Sequence, residues 1–444
     1  MNYRIVAEVC RCGKLQEAGL VNSKDLETEM NRNLFSPPNG RCIKLPHSFL
    51  EKVCDIEDNI VIRGEEMEFT IVATAAFGLE SVVTRELKGL GYGGFNVENG
   101  RVSFKGDERD IARCNIWLRT ADRVLIEVAR FKAIDFEDLF QGTLEVPWED
   151  IVPSDGKMHI TGKTVRSKLF SLSACQSVVK KAVIEAMKRK YGPVNFPETG
   201  SVYKIEVSLI KDLASLTIDT TGPGLHKRGY RQDAGEAPLR ETLAAGIVLL
   251  SGWKPDRILA DPLCGSGTIA IEAALIGKNI APGLKRSFVS ETWWQIPEQI
   301  WSSVRDEARE QISDVSFQVL ASDSDALVLR KARGNAERAG VSDLIAFQKL
   351  SVEEFRSRKK YGYIICNPPY GERLGDEYEI EKLNRGIGET FSQLDTWSFF
   401  ILTAHPGFER SFGKKATRNR KLYNGMIQCY LYEYFGPKPK KDSE

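Results

Sequence analysis

The stretch Ile364-Ile365-Cys366-Asn367-Pro368-Pro369-Tyr370-Gly371-Glu372-Arg373 decides how the rest of the chain is read. An apolar run with β-branched residues stops abruptly at Asn-Pro-Pro-aromatic. Two prolines cannot continue a sheet ladder, so the strand ends there and the next residues form a stiff, preset loop. In an open α/β sheet, a loop at the carboxyl end of a strand is where ligands bind. The side-chain carbonyl of Asn367 and the backbone carbonyl of Pro368 offer two acceptors to one exocyclic NH2, and the Tyr370 ring can stack on the attached base. Two acceptors on the N–H bonds localise a lone pair that is otherwise delocalised into the ring. The loop therefore suits methylation of a nucleobase amino group, with Asn367, Pro368, Pro369 and Tyr370 as its working residues. A proline turn that merely closes a buried strand is the plainer reading of the tetrapeptide, and the rest of the chain separates the two.

Upstream, Arg257–Ala260 reads as a short buried strand ending in Asp261-Pro262-Leu263-Cys264-Gly265-Ser266-Gly267-Thr268, followed by a helix. Strand, tight glycine turn and helix make the first βα unit of a nucleotide-type site, with Gly265 and Gly267 letting the backbone approach a ligand. No Gly-Lys-Ser/Thr is present, so this is not a Walker phosphate cradle. A second element is an acid at the end of the next strand, and Val319-Leu320-Ala321-Ser322-Asp323 supplies it. Asp323 takes the ribose-binding role. Its separation from the glycine loop exceeds the ~20 residues of a minimal dinucleotide fold, because an insertion from Ala281 to Trp294 intervenes.

The string from Asp261 to Thr268 resembles the S-adenosylmethionine loop of class I methyltransferases. That resemblance implies S-adenosylmethionine as cofactor, held by Asp261, Pro262, Cys264, Gly265, Gly267, Thr268 and Asp323. Where many members of the class place an aspartate on the adenine amino group, this chain has Ser351, a departure that weakens the adenine contact expected there. No metal is implied. Cys264 and Cys366 lie near the site and read as small buried residues rather than nucleophiles.

Between Lys157 and Tyr191 stand nine Lys/Arg residues and one acid, Glu185. Val178, Val179, Ala182, Val183, Ala186 and Met187 mark one apolar helix face, with Ser173 as a candidate cap and Gly192-Pro193 as a stop. The cations then fall on the other face, where an ordinary solvated helix would intersperse acids. Concentrated basicity in a neutral chain is the footprint of a phosphate backbone. Lys163, Arg166, Lys168, Lys180, Lys181 and Lys188 are the candidate RNA contacts, with Arg373 beside the proline loop. Asp138-Leu139-Phe140, Pro147-Trp148-Glu149, Ser167-Lys168-Leu169-Phe170-Ser171 and Ala174-Cys175-Gln176-Ser177 resemble the THUMP domain of RNA-modifying enzymes. In that family the domain grips structured RNA together with a preceding ferredoxin-like unit. The segment from Met67 fits such a unit: a strand at Glu68–Ala73, a helix at Leu79–Leu90, a hairpin about Asn99-Gly100, a helix from Asp107 and a strand at Arg123–Phe131 are predicted.

At 444 residues the chain exceeds a single core. Lys+Arg total 62 against 61 Asp+Glu, so net charge indicates no partner and only its distribution is informative. The nine cysteines are odd in number and lie mostly in apolar runs, and no run approaches the ~20 apolar residues of a membrane span. A cytosolic protein with reduced thiols is expected. Residues 1–66 lack sustained periodicity, and Arg63-Gly64-Glu65-Glu66 is what purine-rich ribosome-binding sequence encodes in frame. We read Met67 as the natural start and 1–66 as an extension.

The expected fold is α/β. A ferredoxin-like plus THUMP RNA-binding region spans 67–222, a glycine-rich linker 223–237, and a Rossmann-like methyltransferase domain with a terminal antiparallel hairpin 238–436, ahead of a polar tail at 437–444. Glycine loop, acid after the second strand and Asn-Pro-Pro-Tyr after the fourth occur in the order of class I methyltransferases. With the upstream domain, the chain from Met67 resembles the THUMP-bearing guanine-N2 methyltransferases of 23S rRNA (RlmL/YpsC type). A tRNA guanine-N2 enzyme would use the same two domains. A DNA adenine-N6 enzyme shares the proline loop but not the THUMP-like region, and an RNA-binding assembly factor with a vestigial fold is the reading outside enzymology.

Overall fold

The computed structural model describes residues 68–231, 239–369 and 377–439. The extension 1–66, the catalytic candidate Tyr370 and the RNA-contact candidate Arg373 lie outside the described residues. No helix among the described residues is long and apolar enough to cross a membrane.

Two seven-stranded sheets organise the protein. The first runs in the order β2-β3-β1-β4-β7-β6-β5. Its strands are β1 (Phe69–Ala75), β2 (Asn96–Glu98), β3 (Arg101–Gly106), β4 (Ala121–Lys132), β5 (Lys157–Val165), β6 (Val202–Ile210) and β7 (Leu213–Asp219). The hairpin about Asn99-Gly100 is present, with Gly100 at φ 76°, the left-handed backbone a tight turn requires. Asp107 caps α2 (Glu108–Trp117) by accepting from Asp110 N at 2.9 Å. The expected ferredoxin-like and THUMP units share this one sheet. Twelve-residue β4 pairs with β1 from Ala121 to Glu127 and with β7 from Leu125 to Lys132, the β7 register shifting between Glu127 and Ala129.

Helix α5 (Leu172–Tyr191) packs on this sheet through Val179, Ala182, Val183, Ala186 and Met187 of the expected face, with Cys175 buried one turn earlier and Val178 half-buried at its edge. It begins earlier than the sequence suggested: Ser171 holds the N-cap position and Ser173 lies inside the first turn. Gly192, at φ 74°, ends it.

The second sheet has the order β10-β9-β8-β11-β12-β14-β13. Strands β8 (Leu259–Asp261), β9 (Val319–Asp323), β10 (Ile345–Lys349), β11 (Tyr363–Cys366) and β12 (Ser398–Thr403) are parallel. The terminal hairpin of β13 (Arg418–Asn424) and β14 (Ile427–Tyr434) adds antiparallel strands, with β14 inserted beside β12. The chain builds outward from β8 in one direction and from β11 in the other. Between those two strands the order reverses, which makes their carboxyl ends the switch point of the sheet.

The insertion expected between the glycine loop and Asp323 fastens one sheet to the other. Trp293 stacks on Tyr203 of β6 at 4.7 Å between centroids and donates to Val202 O at 3.0 Å. Ser290 donates to Thr220 O at 2.7 Å, and Ser201 donates to Thr292 O at 2.7 Å. Helix α8 (Glu298–Glu310), which follows the insertion, lies on α2, where Arg109 donates to Ser303 and pairs with Glu307.

The stretch 223–231, read from its glycines as a linker, is packed rather than loose. Leu225, Arg228 and Tyr230 are 1%, 6% and 4% exposed. Two of its cations are turned inward, Arg228 facing Glu272 and Arg231 donating to Leu239 O at 3.1 Å and bonding Thr268, while Lys227 is exposed. Burial, reinforced by Arg240, Lys227, Arg228 and Arg123, pushes the His226 imidazole down to about 4, so it is neutral at pH 7.

Candidate active site

The site is assembled at the carboxyl ends of β8, β9, β10 and β11. Leu259 and Ala260 are fully buried and fix β8 in the centre of the sheet, so its last residue, Asp261, is only 1% exposed. The chain then turns through Gly265 at φ 53° and Gly267 at φ 85° into α7 (Thr268–Gly277). A Cβ added to Gly267 would stand 3.1 Å from the Ala332 Cβ, so this glycine seats the turn against α9 (Ala326–Ala339). At Gly265 an added Cβ would meet nothing within 4 Å. The backbone there borders open space of the kind a ligand can enter.

Neighbouring strands hold the loop. Cys264 N donates to Ser322 O at 2.9 Å, Gly265 N to Asp323 Oδ2 at 3.0 Å, and Asn335 Nδ2 to Ser266 O at 2.9 Å. The other oxygen of Asp323 accepts from Asp325 N at 3.0 Å. Leu350 N donates to Asp323 O at 3.1 Å, which brings Ser351 alongside. Ser351 Oγ bonds the Glu353 carboxylate and must be the donor. With its one proton committed, the hydroxyl has only acceptor capacity left, the character an aspartate would show to an adenine amino group.

Not every predicted residue faces the space. Pro262 is buried, and the Thr268 hydroxyl accepts from Arg231, which leaves its own proton free to donate. Burial raises the Asp261 carboxyl well above its usual range, and the Asp323 charge adds to the rise. A nearby cation would ease the ionisation of Asp261, and a sulfonium is one. Burial also pushes the thiols of Cys264 and Cys366 up, which keeps both protonated and unreactive.

Strand β11 ends in Ile364, Ile365 and Cys366, all fully buried, and delivers Asn367 to the rim. The Asn367 Oδ1 is buried and has no hydrogen-bond partner among the described residues. A desolvated amide oxygen without a donor costs about 1–3 kcal/mol, so this atom is poised to accept a hydrogen bond from whatever enters. Among the described residues, Glu377, Glu381 and His405 also bring metal-ligating atom types within 4.8 Å of one another; the cation present there is Arg410, 3.0 Å from Glu381.

On the first sheet the basic face is partly answered by acids, two of them outside the basic stretch and one, Glu185, on the helix itself. Lys163 pairs with Glu206 at 2.9 Å, Lys180 with Glu198 at 2.7 Å, and Lys188 with Glu185 at 2.9 Å. Among the described residues, Arg166, Lys168 and Lys181 make no ion pair; Lys181 lies 5.6 Å over the Phe140 ring. Between these free cations stands a residue sequence reasoning passed over: Phe170 is 81% exposed. Asn335, which holds the glycine loop, was missed as well. A polar residue on the inward face of a helix was the available signal.

Known proteins share these features. A model described as the RMKL-like methyltransferase domain matches residues 228–433, the RlmL ferredoxin-like domain 70–125, and the THUMP domain 133–219. The "Putative RNA methyltransferase YpsC" of Bacillus subtilis is 48% identical over 380 residues, covering 84% of this chain and 98% of that protein. A crystal structure from Listeria monocytogenes, named a predicted N6-adenine-specific DNA methylase, superposes with a TM-score of 0.80 at 49% identity over 83% of this chain and 97% of that one. A further solved structure, SMU.472, "a putative methyltransferase complexed with SAH", gives a TM-score of 0.80 at 45% identity over 85% of this chain and 100% of its own.

Proposed function

The chain belongs to the YpsC family of methyltransferases that carry a ferredoxin-like and a THUMP domain, and within it we propose that this protein moves a methyl group from S-adenosylmethionine to the exocyclic N2 of a guanine in 23S rRNA. The observation that carries this reading is the buried, unpartnered Oδ1 of Asn367 at the end of β11. The THUMP match and the unpaired cations of the first sheet favour RNA over the DNA named for the Listeria structure.

The bound cofactor supplies an electrophilic methyl group on a sulfonium. In this reading Asp323 holds the ribose hydroxyls, Ser351 accepts from the adenine amino group, and Gly265 and Gly267 let the backbone close on the ligand. Asp261, Pro262, Cys264 and Thr268 shape the loop from beneath. The target base leaves its stack, at a cost of a few kcal/mol, and stacking on Tyr370 offsets it. Asn367 Oδ1 and the Pro368 carbonyl accept the two N–H bonds of the amino group, which turns its lone pair out of the ring toward the methyl. Transfer is direct and in line, without a covalent enzyme intermediate. Orientation of two bound reactants provides most of the acceleration.

The test gives the purified protein labelled S-adenosylmethionine with undermodified 23S rRNA or bulk tRNA, beside Asn367→Ala. N2-methylguanosine in rRNA, lost in the variant, is the expected result. Label in tRNA would keep the chemistry and replace the substrate. Label in neither would favour the assembly-factor reading.

A further inference from the structure

A cavity of about 420 Å³ lies between the loop after β1 and the terminal hairpin, lined by Phe77, Asp122, Arg240, Lys421 and Tyr423 among others. Both modules build it, and they do so rigidly. A Cβ on Gly78 would stand 2.7 Å from Lys421 O, so the backbone of the first module abuts β13 and the φ of 94° there needs glycine. Fully buried Leu79 fills the space over Gly246, where an added Cβ would be 2.9 Å from it. Thr242 donates to Asp122 at 3.1 Å across the same seam.

The lining has a specific chemistry. Leu422 and Asn424 are buried, while the residues alternating with them, Lys421 and Tyr423, are exposed and half-buried respectively. Phe77 is 48% exposed and meets Tyr423 edge-on, at 86° and 5.9 Å, which leaves ring face uncovered for another planar group. Lys421 Nζ sits 5.4 Å from the Tyr423 centroid. Arg240 is 3.9 Å from Asp122, a long pair with the arginine side chain 41% exposed. Aromatic faces with two cations against one acid suit a planar base joined to a phosphate, not an apolar peptide.

The position fits as well. Strand β14 runs antiparallel to β12, with Thr403 opposite Tyr430, so the turn between β13 and β14 lies at the same sheet edge as Asn367. Strand β13 is three strands from β11, roughly 14 Å at ~4.8 Å per strand. Arg240 N donates to Asn424 at 3.1 Å, and Arg231 ties neighbouring Leu239 to Thr268 of the glycine loop. The cleft wall is thus continuous with the site.

We propose that this cleft binds a nucleotide of the substrate RNA flanking the target, its base against Tyr423 and Phe77 and its phosphate at Arg240 and Lys421. The inference rests on the reading of the chain as an RNA methyltransferase.

The experiment uses the full chain with two probes, 4-thiouridine-bearing undermodified 23S rRNA and S-adenosylhomocysteine; bulk tRNA replaces the rRNA if tRNA is what the enzyme methylates. Crosslinked nucleotide on the peptides holding Phe77 or Tyr423 is expected. Tyr423→Ala and Lys421→Glu each weaken RNA binding on the order of tenfold and leave S-adenosylhomocysteine binding unchanged. If Tyr423→Ala also loses the small ligand, Lys421→Glu on the solvent side decides alone. Unchanged RNA affinity and KM in Lys421→Glu, with crosslinks elsewhere, overturn the cleft while the guanine-N2 reading stands. RNA binding that depends on the cleft, in an enzyme that forms no N2-methylguanosine, does the reverse.

Discussion

Arg228 and Glu272 face each other at 3.5 Å with side chains 2% and 0% exposed, sealed between the segment that leaves the first sheet and helix α7 of the glycine loop. Arg228 also donates to Leu225 O at 2.7 Å and bonds Arg119 O, and Tyr230 donates to Glu272 at 3.1 Å. Removing one partner strands the other charge away from water. Arg228→Met should lower unfolding stability by about 3–5 kcal/mol, and Arg228→Met with Glu272→Leu should recover part of it. Chemical denaturation of both variants measures the difference; a single variant as stable as the parent would show that the pair is solvated in solution.

Asn367→Ala removes the unpartnered acceptor without touching the glycine loop. Methyl transfer should fall by about 10²–10³-fold in kcat, the scale of losing one preorganised hydrogen-bonding group at a reacting centre. S-adenosylhomocysteine affinity should stay at the parent value, and calorimetry checks that arm. Equal loss in both would mean that Asn367 supports the cofactor.

Asp323→Asn keeps the size of the side chain and weakens the bond to Gly265 N. A charge-assisted hydrogen bond contributes about 1.5–3 kcal/mol, so cofactor affinity should drop by roughly tenfold to a hundredfold. RNA affinity measured without cofactor should not move.

The folded protein holds His226 at about 4, below the ordinary 6.5. Between those values the unfolded chain binds the extra proton and the folded chain does not, so stability increases with pH across this window. The contribution is complete above pH 6.5 and is lost as pH falls toward 4. His226→Gln should flatten part of the decline in melting temperature between pH 6.5 and 4, and a slope identical to the parent's would assign the decline to other groups.

The cations of the first sheet should divide into two classes. Charge reversal at Arg166, Lys168 or Lys181, which make no ion pair among the described residues, should weaken RNA binding and lower the salt slope by about one unit each. Lys180→Ala and Lys188→Ala should do less, because Glu198 and Glu185 already answer those charges. Affinity titrated against salt distinguishes the classes; equal slopes would erase the distinction.

The methyltransferase half of the fold was legible because its signals are local. Asp261 to Thr268, Asp323 and Asn367-Pro368-Pro369 each sit at a strand end where proline, glycine or an acid interrupts an apolar run. The partners of two basic residues were not legible, since Glu206 reaches Lys163 of β5 through strand pairing and Glu198 reaches Lys180 of α5 through a loop return. Glycine and charge around 222–231 read as a hinge for a related reason. Nothing within that segment announces that Glu272 waits in a helix more than forty positions away. Thr268 shows the same limit, its hydroxyl being turned to Arg231 by contacts that spacing does not encode.

The stack of Trp293 on Tyr203 has a consequence for which nucleotides of a substrate RNA can be reached. With the insertion bonded along β6 and the end of β7, the surface carrying Arg166 and Phe170 cannot drift relative to Asn367. The protein then behaves as a fixed caliper. An RNA seated on one jaw would present to the other only the nucleotide lying one set span away, so the same local sequence at a different distance from the gripped structure should go unmodified.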